Sequence, residues 1–407
     1  MNRRRLLIVP SWYPTAGLPH SGSFFREQAQ ILAREWDARV LVPRGQSTRR
    51  FWSNVPLPPD KIPLQTPPAH VARYRTDRWM SWGRLYDSIT GAVIRSLAAF
   101  SQEGWTPDVI LAHSTAWAGL LATRAGRHVG VPAVIVEHSS SWVQNEYTDE
   151  QWAGIREALA AATTVCAVSP ALRRVMLAHD LPASIHWEIV GNLVDEAVFF
   201  PARPARRADG DDFRVLTVAS RNFKKDVLTL FRAAATVRTQ RPDLRFGVRA
   251  VGDFRGSGPS FAELAAGCGI QDLLSTDYFL ERHETAQAMR ESDLFVSSSI
   301  TETFGVVMVE ALACGLPVVA TRSGGAEYIL GEGSPFLVEP RDPTTLAQAI
   351  CAVADGAIPF DPEEATQSII GRFGAEAFAA RMTRVLDEAI RRPPDGEGHS
   401  PPRARDG

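Results

Sequence analysis

Short apolar runs alternate with longer amphipathic stretches from the first residues onward. Leu6–Val9, Arg39–Val42, Val109–Ala112 and Ala133–Glu137 read as buried strands, and helical spacing predicts helices over Phe24–Glu35 and near Ala118–His128 between them. Thr163–Val168 and Ile185–Val190 continue the series and deliver the turn Gly191-Asn192-Leu193-Val194-Asp195, where Asn192 can cap or line a cleft. Residues 201–212 change character: they are rich in proline, small residues and charge, and read as an interdomain linker. A second alternating series then runs through Phe213–Val218, Phe246–Val251, Leu294–Ser297, Pro317–Thr321 and Phe336–Val338. Strands that alternate with helices build parallel sheets, so the pattern predicts two successive α/β domains, residues 1–200 and 213–390. The last helix of the second domain is free to pack back on the first. Residues 391–407 offer almost nothing apolar to bury and read as a disordered tail.

Composition narrows the function. A chain of 407 residues with 45% hydrophobic and 22% charged residues has material for two ordinary cores. A formal net charge of −2 gives no global attraction to nucleic acid or to an anionic membrane. Cys166, Cys268, Cys314 and Cys351 are scattered, form no Cys-x-x-Cys pair and read as reduced core thiols, which favours the cytoplasm. The basic start Met1–Arg5 runs into an apolar stretch that ends at Pro10, too short for a signal or transmembrane segment. There is no Gly-x-Gly-x-x-Gly fingerprint and no P-loop, which lowers the dehydrogenase and NTPase readings.

The richest stretch is Glu302-Thr303-Phe304-Gly305-Val306-Val307-Met308-Val309-Glu310, continued by Ala311-Leu312-Ala313-Cys314-Gly315-Leu316-Pro317. Two carboxylates stand eight positions apart around a strand-to-helix turn, with Leu294–Ser297 as the strand and Val306–Ala313 as the helix. A phosphate would meet the helix N-terminus, where free N–H groups and the helix dipole favour an anion and Gly305 admits close approach. Glu302 can accept hydrogen bonds from sugar hydroxyls, and Glu310 can reach a ribose diol. The strand Pro317–Thr321 then delivers Ser323-Gly324-Gly325-Ala326-Glu327, a second glycine turn expected on the same sheet edge.

Together these residues resemble the nucleotide-sugar site of family-4 retaining glycosyltransferases, which carry a Glu-x7-Glu motif followed by a Gly-Gly-x-Glu or similar turn. The resemblance implies the GT-B architecture, two Rossmann-like domains facing a cleft, with the acceptor on the first domain and the nucleotide-sugar on the second. The family carries an arginine in the loop after the first strand of the second domain and a lysine opening the next helix. Arg221 and Lys225 match these, and Lys225 is preferred over its neighbour Lys224. Val251-Gly252-Asp253 resembles the glycine turn beside the nucleotide. In the loop after Leu6–Val9 family members often have Gly-Gly; this chain instead resembles the subgroup with a Pro-rich loop and then Gly-x-Phe, and Gly22 is the residue carried over. His113, at the end of Val109–Ala112, resembles the active-site histidine that contacts the transferred sugar. Glu137 and His138 end the next strand and are expected on the acceptor side.

The resemblance thus assigns His113, Arg221, Lys225 and Glu302 to catalysis. It gives Gly22, Gly252, Thr303, Phe304, Gly305, Val306, Val307 and Glu310 to the donor. The implied reaction is hexosyl transfer from a nucleoside-diphosphate sugar to a hydroxyl, with retention, in polysaccharide, glycolipid or other glycoconjugate synthesis. No cofactor or metal is expected: Asp209-Gly210-Asp211 spells an Asp-x-Asp but falls in the linker, and the cations can stabilise a departing diphosphate. A nucleotide-sugar epimerase and a non-catalytic nucleotide-sugar or glycan-binding partner subunit are the competing readings. Two regions mix cations with aromatics, Arg44 with Arg49–Trp52, and Arg73 to Arg84 with Tyr74, Trp79 and Trp82. They read as acceptor-domain packing or, for a lipid-linked acceptor, as peripheral contact with the inner membrane face. No nucleic-acid recognition motif accompanies them.

Overall fold

The computed structural model describes residues 3–14, 22–47, 66–77, 79–201, 212–253 and 258–392. The chain folds into two parallel sheets. The first contains β1 (Arg5–Pro10), β2 (Asp37–Ser47), β3 (Ala69–Thr76), β4 (Val109–His113), β5 (Ala133–Glu137), β6 (Thr164–Ala167) and β7 (Trp187–Ile189), in the order β3-β2-β1-β4-β5-β6-β7. The second contains β8 (Phe213–Val218), β9 (Phe246–Val251), β10 (Leu274–Asp277), β11 (Leu294–Ser297), β12 (Val318–Thr321) and β13 (Leu337–Val338), in the order β10-β9-β8-β11-β12-β13. Each order reverses once, between β1 and β4 and between β8 and β11, and the crevice of an open parallel sheet lies at that reversal beyond the strand C-termini. The register Pro10↔His113 puts His113 at one crevice, and Leu294↔Val215 sets the Glu302 loop beside the Arg221 loop at the other.

The strands flanking each reversal are buried on both faces, as crossover helices require. Leu6–Val9, Val109–Ala112 and Val134–Ile135 are almost fully excluded from solvent. Two edge strands escape the apolar pattern. β10 (Leu-Ser-Thr-Asp) is half exposed, and β3 carries Arg73, Tyr74 and Arg75, so neither needs a continuous hydrophobic run. β3 pairs with β2 from Val40↔Ala69 to Ser47↔Thr76, which extends β2 well beyond the expected Arg39–Val42. The cation-aromatic stretch from Arg73 to Arg84 is therefore an edge strand followed by the start of the helix Trp82–Gln102; Arg78 and residues 49–52 lie outside the described residues. So do residues 202–211 of the linker, residue Gly17 and the tail beyond 392.

The helix Ala375–Arg391 leaves the second sheet and lies on the first domain. Asp387 pairs with Arg4, the Trp36 indole N–H donates to Thr383 Oγ1 at 3.1 Å, and Arg384 pairs with Glu188 at 2.9 Å. Val194 N–H donates to the Phe373 carbonyl at 2.9 Å, tying the two crossings together. No helix among the described residues is long and apolar enough to cross a membrane.

Candidate active site

The loop after β11 is held by its backbone. Glu302 N–H donates to the Ser323 carbonyl at 2.8 Å, and the Glu302 carbonyl accepts Gly325 N–H at 2.9 Å. The two glycine turns are thus zipped into one rim, and Gly324 N–H is capped by Glu327 Oε2 at 2.7 Å. With its backbone fixed, the Glu302 carboxylate accepts from Lys225 Nζ at 2.5 Å and from Ser299 Oγ at 2.8 Å. Gly305 starts the helix Val306–Ala313, whose first N–H groups, at Val306 and Val307, have no acceptor within the helix. An anion binder and a charged hydrogen-bonding pair therefore stand side by side.

Phe304 can take part in donor binding only through its backbone. Its ring is 1% exposed and packs edge-on against Phe373 (centroids 5.2 Å apart) and Tyr328, so it anchors the turn from beneath and presents no side chain to a ligand. Apolar burial decides its place. Thr303 turns the other way, and its hydroxyl donates to the His138 carbonyl of the first domain at 3.0 Å.

The cations on the β8 loop are each paired. Arg221 lies 3.3 Å from Asp253 Oδ1 and donates to the Gly258 carbonyl at 3.2 Å. Lys224 and Lys225 diverge: Lys225 serves Glu302, whereas Lys224 crosses the cleft to Ser140 Oγ at 2.9 Å. Partial burial holds the Lys224 amine below the ordinary lysine range. Gly252 has φ +110, and a Cβ there would stand 2.4 Å from the Ala219 carbonyl oxygen, so only glycine lets the β8 and β9 loops meet.

Glu310 is 5% exposed, which excludes a solvated helix face. Arg282 bridges it at 3.3 Å to Glu27 of the first domain at 3.2 Å, and stacks over Phe199 at 5.0 Å. Burial pushes the Glu310 carboxyl up to about 7; Arg282 opposes this, and Glu27 and Asp195 add to it. Burial likewise raises Glu27.

In the first domain, Gly22 precedes the helix Ser23–Leu32 with φ +72, and a Cβ there would meet the Trp12 carbonyl oxygen at 2.5 Å. His113 ends β4, and its Nδ1 lies 3.1 Å from His138 Nε2. Its ring also stacks on Phe25, with centroids 4.5 Å apart. Burial lowers both histidines, so the pair is neutral and shares one N–H between them. The next residue, Ser114, has φ +74 and opens a single π-helical turn, Ser114–Gly119. Non-glycine residues at positive φ and π turns concentrate at functional sites, and here both follow the histidine directly.

Glu137, expected on the acceptor side, ends β5 with its carboxylate turned inward. Its fully buried carboxylate accepts from Thr115 N–H at 2.8 Å, from the Thr115 hydroxyl, from His138 N–H at 2.8 Å and from Ser139 N–H at 2.6 Å. Four donors occupy its lone pairs, so it clasps the β4 and β5 loops and leaves nothing for a ligand.

The structure thus gathers Glu302, Lys225, Thr303 and His138 along one cleft, with His113 behind His138. Sequence reasoning missed Ser299, Arg282 and Glu27, and it gave Asp253 and Lys224 no partners. Asp253 directly follows Gly252 and was readable as a partner for Arg221, but the Glu27–Arg282 contact exists only once two domains dock.

The likenesses to known proteins agree with this geometry. Residues 21–192 match the family described as "Glycosyl transferase 4-like domain", and residues 212–355 match "Glycosyl transferases group 1". A D-inositol 3-phosphate glycosyltransferase of Thermobispora bispora is 32% identical over 343 residues, 76% of each chain. Another, from Stackebrandtia nassauensis, is 31% identical over 77% of this chain and 76% of its own. Among solved structures, sucrose-phosphate synthase from Thermosynechococcus elongatus superposes with a TM-score of 0.70 at 18% identity, covering 95% of this chain and 99% of its own. Anabaena Alr3699/HepE in complex with UDP-glucose does so with a TM-score of 0.70 at 19% identity, covering 94% and 99%. The two reversed parallel sheets are the GT-B fold, and the chain belongs to the group 1, family-4-like glycosyltransferases, which transfer a sugar from a nucleotide-sugar.

Proposed function

We propose that the chain is a retaining, metal-independent hexosyltransferase acting on a nucleoside-diphosphate sugar. The observation that carries this is the 2.5 Å Lys225–Glu302 pair beside the N-terminus of the helix Val306–Ala313. A lysine has three donors, so Lys225 can keep Glu302 oriented toward the donor sugar while it binds a phosphate oxygen. Arg221 and the Val306 and Val307 N–H groups complete the anion site, and Glu310 accepts the ribose hydroxyls. As the C1–O bond to the diphosphate breaks, the negative charge on the leaving group grows, and these fixed donors stabilise it. The acceptor oxygen bonds to C1 on the face the diphosphate leaves, and its proton passes to the departing phosphate oxygen. Retention follows from attack on that face, and it asks for no carboxylate nucleophile of the double-displacement kind.

The neutral His113–His138 pair suits this scheme, because an uncharged imidazole can donate to a sugar hydroxyl without repelling an oxocarbenium-like centre. The acceptor enters from the first domain. The names of the 32% and 31% identical relatives make an inositol phosphate the first acceptor to try. A lipid-linked saccharide is the second, and it would bring the protein to the inner membrane face.

The test incubates the protein with a panel of nucleoside-diphosphate sugars and acceptors in EDTA and follows the product's anomeric configuration by NMR. Retained configuration with undiminished turnover in EDTA is expected. An inverted product, or activity restored only by a divalent cation, overturns the corresponding part. An isomerised donor without acceptor would instead establish an epimerase.

A further inference from the structure

A second cavity opens on the first domain beside the histidines. It has a volume of about 290 Å³ and sits at the C-terminal ends of β1, β2 and β3, with Ser11, Trp12, Pro43, Tyr74, Ile89 and Trp117 in its wall. Small-molecule sites run from about 300 to 1,000 Å³, so this one holds a single ring rather than an extended chain. Three aromatic side chains face it, each held differently. Trp117 is braced by Trp82 (centroids 4.9 Å apart) and Tyr86 (5.4 Å), and Tyr86 is anchored by its hydroxyl on the Ala116 carbonyl at 2.5 Å. Trp12 lies parallel to Phe25, which in turn stacks on His113. Tyr74 lies across Gly45, on the same face of the sheet as Pro43.

Among the described residues, the wall's polar side chains, those of Trp12, Tyr74, Trp117 and Ser11, are all uncharged, and the Ser11 hydroxyl donates to the His113 carbonyl at 2.7 Å. Strand alternation sends Arg44, Arg73 and Arg75 to the opposite face of the sheet. A wall of aromatic faces edged by uncharged donors fits a ring with apolar C–H faces and hydroxyls at its rim. Among the described residues of the wall there is no cation for a phosphate, and a lipid tail would find the pocket too short.

We infer that this cavity is a subsite for an uncharged hydroxylated ring, a sugar or cyclitol unit of the acceptor, stacked on Trp12 and Trp117 with Tyr74 at its edge. The inference rests on the transferase reading above and adds the chemistry of the acceptor. Ser11 links the cavity to the His113 backbone, so the bound ring stands beside the end of β4 that carries the histidine pair.

The full chain is labelled with 5-fluorotryptophan, and the Trp12 and Trp117 fluorine resonances are assigned from Trp12→Phe and Trp117→Phe. Methyl α-D-glucopyranoside, myo-inositol and glucose 6-phosphate are titrated with and without a nucleoside diphosphate. The two resonances are expected to shift saturably with a neutral probe and more weakly with the phosphorylated one. Trp12→Ala, which removes a half-exposed ring, should weaken the neutral probe about two- to tenfold and leave nucleotide affinity unchanged. Tyr74→Phe, which keeps the packing, should weaken it less. Neutral probes that leave both resonances still while the nucleotide binds would overturn the subsite alone. The same holds if Trp12→Ala binds them as tightly as the wild type does. A chain that binds no nucleotide would instead strike at the transferase reading.

Discussion

Replacing Glu310 by glutamine should abolish a pH dependence that the wild-type nucleotide site carries. Glu310 is buried, and its carboxyl is pushed from 4.5 up to about 7, a displacement worth roughly 3 kcal/mol at about 1.4 kcal/mol per pH unit. The sign for the empty protein follows directly. A raised folded-state value gives stability that is fully present below pH 4.5 and is lost as pH rises through about 7. Nucleotide binding runs the other way, because two ribose hydroxyls donate best to the ionised carboxylate. With a value of about 7, the carboxylate is about one-tenth ionised at pH 6 and about nine-tenths at pH 8. The apparent dissociation constant of a nucleoside diphosphate should therefore fall about tenfold over that interval beyond the change due to the phosphate itself. Isothermal titration at both pH values, on wild type and Glu310→Gln, isolates the effect, since the phosphate and Glu27 titrate in both proteins. Equal pH slopes in the two proteins would refute the ribose assignment. A steeper slope in the variant would show that Glu27 is the responsive group.

Three further outcomes separate neighbouring residues. Lys225→Ala should lower kcat/KM by about 10²- to 10³-fold, as losing a fixed donor to a developing anion does, whereas Lys224→Ala removes a bridge between domains. Lys224→Ala should expand the nucleotide-free protein in small-angle scattering, and equal losses of kcat/KM in both variants would contradict the division of labour. Glu137→Ala leaves four donors without an acceptor, two of them fully buried, and should cost about 3 kcal/mol or more in urea unfolding; an unchanged midpoint would show that the clasp is dispensable. Gly252→Ala forces a Cβ against the Ala219 carbonyl at φ +110 and should destabilise by about 1–3 kcal/mol, read as a lower midpoint of thermal unfolding.

What could be read from the chain alone follows the range of each interaction. The helix Val306–Ala313 and the strand Leu294–Ser297 appear at the expected residues, because a buried apolar run bounded by glycine and proline is a local signal. β3 and β10 carry no strand signal in the sequence: an edge strand buries one face at most, and the β3 arginines, which point away from the core, give a mixed stretch that fits acceptor-domain packing and membrane contact alike. The site residues divide in the same way. That Glu302, Thr303 and the Val306–Val307 turn share one rim is a property of a single loop. Glu137 beside His138 offered the same local evidence, yet one carboxylate turned inward to four donors and the other residue joined the cleft. Strand alternation puts consecutive residues on opposite faces, and no sequence spacing says which face the loop ahead of it will cap. The Glu27–Arg282–Glu310 chain lay further out of reach. It needs two helices from different domains to meet, and so it reports how the two domains dock. A donor that inserts its ribose there must compete with Arg282 for Glu310, which couples nucleotide entry to the contact that holds the two domains together.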